Sequence, residues 1–309
     1  MSTPAGSATA FRRSLNDRIR AAARGRGVSA QQLQRQFLLQ RFLARVFDVP
    51  DGPWVLKGGA GLLVRIPGAR HSQDVDLARA DADVTTAVAE LRELAGRDVG
   101  DPLRFVVGDP TAMTGARPGA QVRVDVYLGA TRFDRFPVDL VAGGRLVDRL
   151  EHTRPAPVVD VPGIPELPTF TLYPLADHLA DKICAMYEVH GPQGQPSTRY
   201  RDLVDILLII ATFALDGDEA AAALAGEAAR RALDLPTTLV SPGPGWPAGY
   251  RAVARDTSLD PTLHDLDTAL TAAGRCVNAL LAGTVLAGTV LAGTTTPGRW
   301  NPTRLGWDR

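Results

Sequence analysis

The sequence predicts a mixed α/β (α+β) protein, a sheet domain followed by a helical bundle domain, on three observations. Short β-type runs crowd the stretch that starts at Trp54, helical periodicity dominates after residue 166, and prolines at 155, 157, 162, 165 and 168 mark an extended connection between the two. At 309 residues and 45% hydrophobic content the chain can bury one large core or two ordinary ones. The expected divisions are N-terminal helices over 1–50, a sheet domain over 51–165, a helical domain over 166–285 and an irregular, low-complexity tail over 286–309.

Two helices fill the N-terminal region. The second opens at Ser29, with Gln32 three residues on as a capping box, and carries Leu33, Phe37, Phe42 and Val46. Strands are expected at Trp54-Val55-Leu56, Asp74-Val75-Asp76-Leu77, Leu103 to Val107 and Gln121 to Leu128, with helices around 60–66 and 84–95 between them. Residues 173–189, 200–214, 218–233 and 262–282 carry helical signatures, interrupted by a Pro/Gly/Trp loop from Ser241 to Gly249. Leu281-Ala282-Gly283-Thr284-Val285 repeats through Leu291-Ala292-Gly293-Thr294, a five-residue period that matches no solenoid and predicts marginal structure. The final segment, with Trp300 and Trp307, reads either as a loose tail or as a docking strap.

Formal charge is zero, which excludes a global field that draws in nucleic acid and confines any such site to a local patch. Arg12, Arg13, Arg18, Arg20, Arg24, Arg26, Arg35, Arg41 and Arg45, offset only by Asp17, are either that patch or a solvated helix face. Cys184 and Cys276 have neither disulfide nor metal-site spacing and read as core residues in a reducing compartment. No run approaches the roughly 18 to 20 apolar residues of a membrane span, and no signal peptide opens the chain, so no membrane contact and a cytoplasmic location are expected.

Only two of the 34 basic residues are lysine, Lys57 and Lys182, and both fall in segments with chemical character. Along a strand Ser72, Asp74 and Asp76 project to one face, and two carboxylates so close call for a divalent cation. All-oxygen ligands favour Mg²⁺ or Mn²⁺. Lys57-Gly58-Gly59 runs from a strand into a helix, where exposed backbone N–H groups suit a phosphate; it lacks the Lys-Ser/Thr of a Walker A loop. Asp125, opposite the inward Val122, Val124 and Val126, either adds a third metal carboxylate to the same cleft or pairs at the surface with Arg123 or another arginine. Lys182 lies on the apolar stripe of its helix with Leu175, Leu179 and Met186, so it either snorkels or meets a buried anion. Asp202, on a buried stripe with Ile206 and Ile209, is the fitting partner, while Arg199 and Arg201 just ahead suit phosphate or RNA.

Taken in order, Gly58-Gly59, Ser72-x-Asp74-x-Asp76, Asp181-Lys182 and Arg199-x-Arg201-Asp202-Leu203-x-Asp205 resemble the motifs of the AbiEii/AbiGii-type nucleotidyltransferase toxins, which include the mycobacterial MenT toxins. The resemblance covers roughly residues 54 to 215 and implies a DNA polymerase β-like nucleotidyltransferase sheet domain followed by a helical domain. It implies a toxin–antitoxin (abortive infection) enzyme that moves NMP, often a pyrimidine nucleotide, from an NTP to the 3′ end of tRNA, with a cognate antitoxin as partner. Asp74 and Asp76 match the metal pair, Lys182 the nucleotide-phosphate lysine, Asp202 the final catalytic aspartate and Ser72 a Ser/Thr near the site. Two rivals stand beside it: transfer to a small-molecule or protein hydroxyl, since fold does not fix substrate, and a nucleotide-sensing protein without catalysis.

Overall fold

In the computed structural model, residues 5–69, 72–113, 118–143, 149–287 and 297–308 are described. The chain forms two compact units, residues 1–67 with 71–173, and residues 68–70 with 174–309.

In the first unit α1 (Ala5–Arg26) and α2 (Ala30–Val46) precede β1 (Trp54–Lys57), α3 (Gly58–Arg65), β2 (Val75–Arg79) and α4 (Val84–Ala95). The strands β3 (Leu103–Val107), β4 (Thr111–Ala112), β5 (Gly119–Leu128), β6 (Thr131–Ala142), β7 (Glu151–Thr153) and β8 (Phe170–Leu172) follow. The Gln32 side chain accepts a hydrogen bond from the Ser29 backbone at 3.1 Å, so α2 starts where its capping pair predicts. The strands make one mixed sheet in the order β3-β5-β6-β2-β1-β8-β7, with β4 also pairing with β5. Parallel pairs at β2·β6 and β1·β8 set it apart from a simple meander. One face is apolar: Val122, Val124, Val126, Phe136, Val138, Leu140, Val75 and Leu77 pack into a single core with Leu15, Ile19, Phe37, Phe42 and Leu91 of the helices. Alternation therefore leaves the polar residues of β2, β5 and β6 on the other face.

The long strand β6 carries Pro137 within it and β8 is only three residues long, so neither reads as a strand from its own sequence. Both become strands through pairing, since β6 lies between β5 and β2 and β8 lies against β1.

The second unit is built from α5 (Leu175–Tyr187), α6 (Tyr200–Thr212), α7 (Gly217–Arg231), α8 (Trp246–Ala254) and α9 (Leu266–Ala287). The region expected as a loop from Ser241 to Gly249 runs into α8, because Pro247 falls in the first turn of the helix, where its missing N–H costs nothing. Trp246 is buried and donates from Nε1 to the Ser197 carbonyl at 2.8 Å. The end of the chain is a strap: residues 299–301 pair with 215–216, and Trp300, fully buried, donates to the Ile210 carbonyl at 2.7 Å. Trp307 packs edge-on to Trp300 and donates to the Cys276 carbonyl at 3.1 Å. The first copy of the five-residue repeat continues α9, while Leu291 to Thr294 lies outside the described residues. Among the described residues no helix is long and apolar enough to cross a membrane.

Candidate active site

Strand register assembles a row of functional side chains on the polar face of the first unit. Asp76 stands opposite Lys57 across the antiparallel β1·β2 pair, level with Asp139 across the parallel β2·β6 pair, and Asp139 stands opposite Gln121 on β5. Paired positions share a face, so Lys57, Asp76, Asp139 and Gln121 form one line across four strands. Gln121 Nε2 donates to Asp139 Oδ1 at 2.8 Å. Lys57 Nζ lies 4.1 Å from the Tyr173 ring centroid, which holds the cation at the end of the line. Asp74 enters just before β2, where the buried Ser72 hydroxyl donates to its Oδ1 at 2.8 Å. His71 of the same run lies outside the described residues.

Gly58 has a second role besides offering backbone N–H groups. Its φ of +58° is in the left-handed region, and a Cβ there would stand 1.7 Å from Asp76 Oδ2. The Asp76 carboxylate thus occupies the space over the first residue of α3 that any other side chain would fill. Gly59 follows, buried within α3. An oxygen-only set of Asp74 and Asp76, with Asp139 in register, suits Mg²⁺, which takes one or two carboxylates and completes its shell with water and phosphate. No three His, Cys, Asp or Glu side chains among the described residues draw close enough to enclose an ion by themselves.

Asp125 takes the surface alternative, paired with Arg135. It lies four residues along β5 from Gln121, about 13 Å, and β6 separates β5 from β2. Arg135 binds it through two hydrogen bonds of 2.7 and 3.0 Å, Arg132 approaches to 3.7 Å, and the Arg135 hydrogen bond holds its carboxyl below the usual range. The carboxylate level with Asp76 is Asp139, in Val138-Asp139-Leu140. Sequence reasoning passed over it because β6 was not recognised, and its alternating Phe136-Pro137-Val138-Asp139-Leu140 was the available signal.

In the second unit Lys182 meets the buried anion expected for it. Its Nζ donates to Asp202 Oδ1 at 2.7 Å and lies 3.0 Å from Asp205 Oδ2, with all three side chains buried. Asp205 is the partner sequence reasoning quoted without assigning a role. Asp202 Oδ2 is buried without a hydrogen-bond partner, and Arg199 Nη1 stands 4.0 Å away. Burial pushes the Asp202 carboxyl above its ordinary value, Lys182 pulls it down and Asp205 pushes it up again, and the net shift is upward. Arg199 and Arg201 are exposed at the N-terminal end of α6.

The N-terminal arginines divide. Arg41 and Arg45 are buried on Asp101, Arg35 pairs with Asp134, Arg12 lies over Phe133 and Arg18 bonds the Asp160 carbonyl. Arg13, Arg20, Arg24 and Arg26 remain exposed on α1.

A family model described as AbiEii, nucleotidyl transferase AbiEii toxin, type IV TA system, matches residues 41–272. MenT4, a nucleotidyltransferase toxin from Mycobacterium tuberculosis H37Rv, superposes with a TM-score of 0.50 at 20% identity, covering 86% of this chain and 98% of that one. JHP933 from Helicobacter pylori gives a TM-score of 0.46 at 15% identity, covering 86% and 99% of the two chains. No curated protein sequence matches.

Proposed function

Because the chain belongs to the AbiEii family of nucleotidyltransferase toxins of type IV toxin–antitoxin systems, we propose that it transfers NMP from an NTP to the 3′ hydroxyl of an RNA, with tRNA as the leading acceptor. Pyrophosphate leaves as the acceptor oxygen bonds to the α-phosphorus. The family implies a nucleotide substrate and a cognate antitoxin. The observation that carries the reading is the row of Lys57, Asp76, Asp139 and Gln121 beside the glycine start of α3.

In this reading Asp74 and Asp76 hold the cation, Ser72 fixes Asp74, and the α3 N-terminus with Gly58, Gly59 and Lys57 receives phosphate oxygens. A bound Mg²⁺ or Mn²⁺ supplies neutralisation of the triphosphate and polarisation of the α-phosphoryl group. Asp139, oriented by Gln121, takes the proton of the attacking hydroxyl. Lys182, which the family resemblance matches to the nucleotide-phosphate lysine, has its ammonium fixed in place by Asp202 and Asp205. Exposed Arg13, Arg20, Arg24 and Arg26 on α1, which form no ion pairs among the described residues, favour a polyanionic acceptor over a small molecule.

The test is incubation of the protein with each labelled NTP, Mg²⁺ or Mn²⁺, and total RNA, followed by sizing of the product. Label in the tRNA band, absent with Asp76→Asn, is the expected result. Label in protein or small molecules, with RNA unlabelled, would overturn the acceptor; NTP binding without pyrophosphate release would overturn the reaction.

A further inference from the structure

The polar face of the sheet extends beyond the carboxylate row. Arg104 of β3, Arg123 of β5 and Arg132 and Arg135 of β6 stand on it, against Asp125, which Arg135 already satisfies, and Asp109 at the border, which Arg92 holds at 3.0 Å. The Arg123 side chain is exposed and makes no ion pair or hydrogen bond among the described residues. The exposed Arg104 guanidinium lies over the Tyr127 ring, 4.2 Å from its centroid, and Val106 beside them is 39% exposed. A groove of about 350 Å³ lined by Gly108, Thr111, Gln121, Arg123, Asp125 and Arg135 joins this region to the row. From Tyr127 to Gln121 the face runs six residues along β5, about 20 Å.

These features match one kind of occupant. A guanidinium held over an aromatic ring offers planar groups on which a base stacks, and an exposed arginine four residues along the strand meets a phosphate. A duplex would hide its base planes from such a surface, whereas a single strand offers them. We propose that this face is the track of a single-stranded RNA 3′ end: a base stacks at Arg104 and Tyr127, Arg123 takes a backbone phosphate, and the terminal hydroxyl arrives at Gln121 and Asp139. The proposal rests on RNA being the acceptor, and it adds the residues that would select a single strand.

The experiment uses the whole protein, wild type and three variants, Arg123→Ala, Tyr127→Ala and the double Arg104→Ala/Arg123→Ala. Binding of a short fluorescent single-stranded RNA is measured by anisotropy across a salt titration, and KM for RNA and for NTP by label transfer. NTP binding by calorimetry checks that each variant is folded. Arg123→Ala lowers the slope of log affinity against log salt by about one. Tyr127→Ala weakens RNA binding about ten-fold. The double variant loses more than either, with KM for NTP unchanged. RNA affinity at the wild-type level in the double variant overturns the track. If the wild type binds RNA through these residues but transfers nothing to it, the track stands and the reaction assigned above fails.

Discussion

Each unit buries one cluster of charges, and the two clusters are built in opposite ways. In the first, Arg41 and Arg45 surround Asp101, whose oxygens accept from Arg41 Nε at 2.7 Å, from Arg45 at 2.8 and 3.1 Å and from the Leu103 N–H at 3.0 Å. The spare N–H groups go to the carbonyls of Arg41, Leu103 and Pro165, and Arg45 lies 4.6 Å from the Phe105 ring centroid, leaving only its Nε without a hydrogen bond. In the second, Lys182 reaches both Asp202 and Asp205, and one oxygen of Asp202 has no hydrogen bond among the described residues. Burial raises both Asp101 and Asp202. Two guanidiniums more than reverse that for Asp101, whose carboxyl falls below its ordinary value, whereas one ammonium shared with Asp205 cannot do so for Asp202. A buried charge is therefore no mark of function by itself; what separates the two clusters is that the cations of the first outweigh the cost of burying their carboxylate and the cation of the second does not.

The sharpest way to break this comparison is to remove one cation from each cluster. Arg45→Met leaves Asp101 under-compensated and should lower unfolding stability by about 3–5 kcal/mol, seen in denaturant titration, with transfer per folded molecule unchanged. Lys182→Met should cut NMP transfer about 100- to 1000-fold under saturating NTP. Equal losses of activity in the two variants would erase the distinction.

A smaller effect separates the carboxylates by the sign of their pH dependence. Asp101, with its lowered value, contributes stability that is present above its ordinary 3.8 and is lost as pH falls through its folded value. Asp202, with its raised value, contributes stability that is full below 3.8 and is lost as pH rises through its folded value. Relative to wild type, Asp202→Asn should therefore gain thermal stability as pH is raised above 3.8, whereas Asp101→Asn should lose it as pH is raised toward 3.8 from the acid side and show no further change above; thermal melts across pH decide, and shifts of the same sign refute the contrast. Smallest of all should be Asp125→Asn at the surface ion pair with Arg135, which leaves the unfolding midpoint and the rate at saturating RNA at wild-type levels.

Local chemistry made parts of this molecule legible in its sequence. The Ser29/Gln32 capping pair located α2, and the stripe positions of Lys182 and Asp202 foretold their contact. What escaped depends on pairing between distant segments. Asp125 and Asp139 both sit in alternating strands, and alternation alone cannot tell which one lies level with Asp76. That choice is made by the parallel register of β2 with β6. Likewise the sequence places Lys57 only beside Gly58-Gly59, and it is the β1·β2 register that sets it opposite Asp76. Asp205 was in view but its role was not, because a helix shows its own face and not the helix it packs against.

The tryptophan strap has a consequence for the order in which this chain can fold as it is made. Trp300 is bonded to the last turn of α6, the helix that also carries Asp202 and Asp205, and its strand closes the edge at Leu215. A ribosome must therefore have passed well beyond the acidic helix before that helix acquires its final support. Until then the nascent chain lacks the hydrogen bond and the strand pairing that brace the last turn of α6.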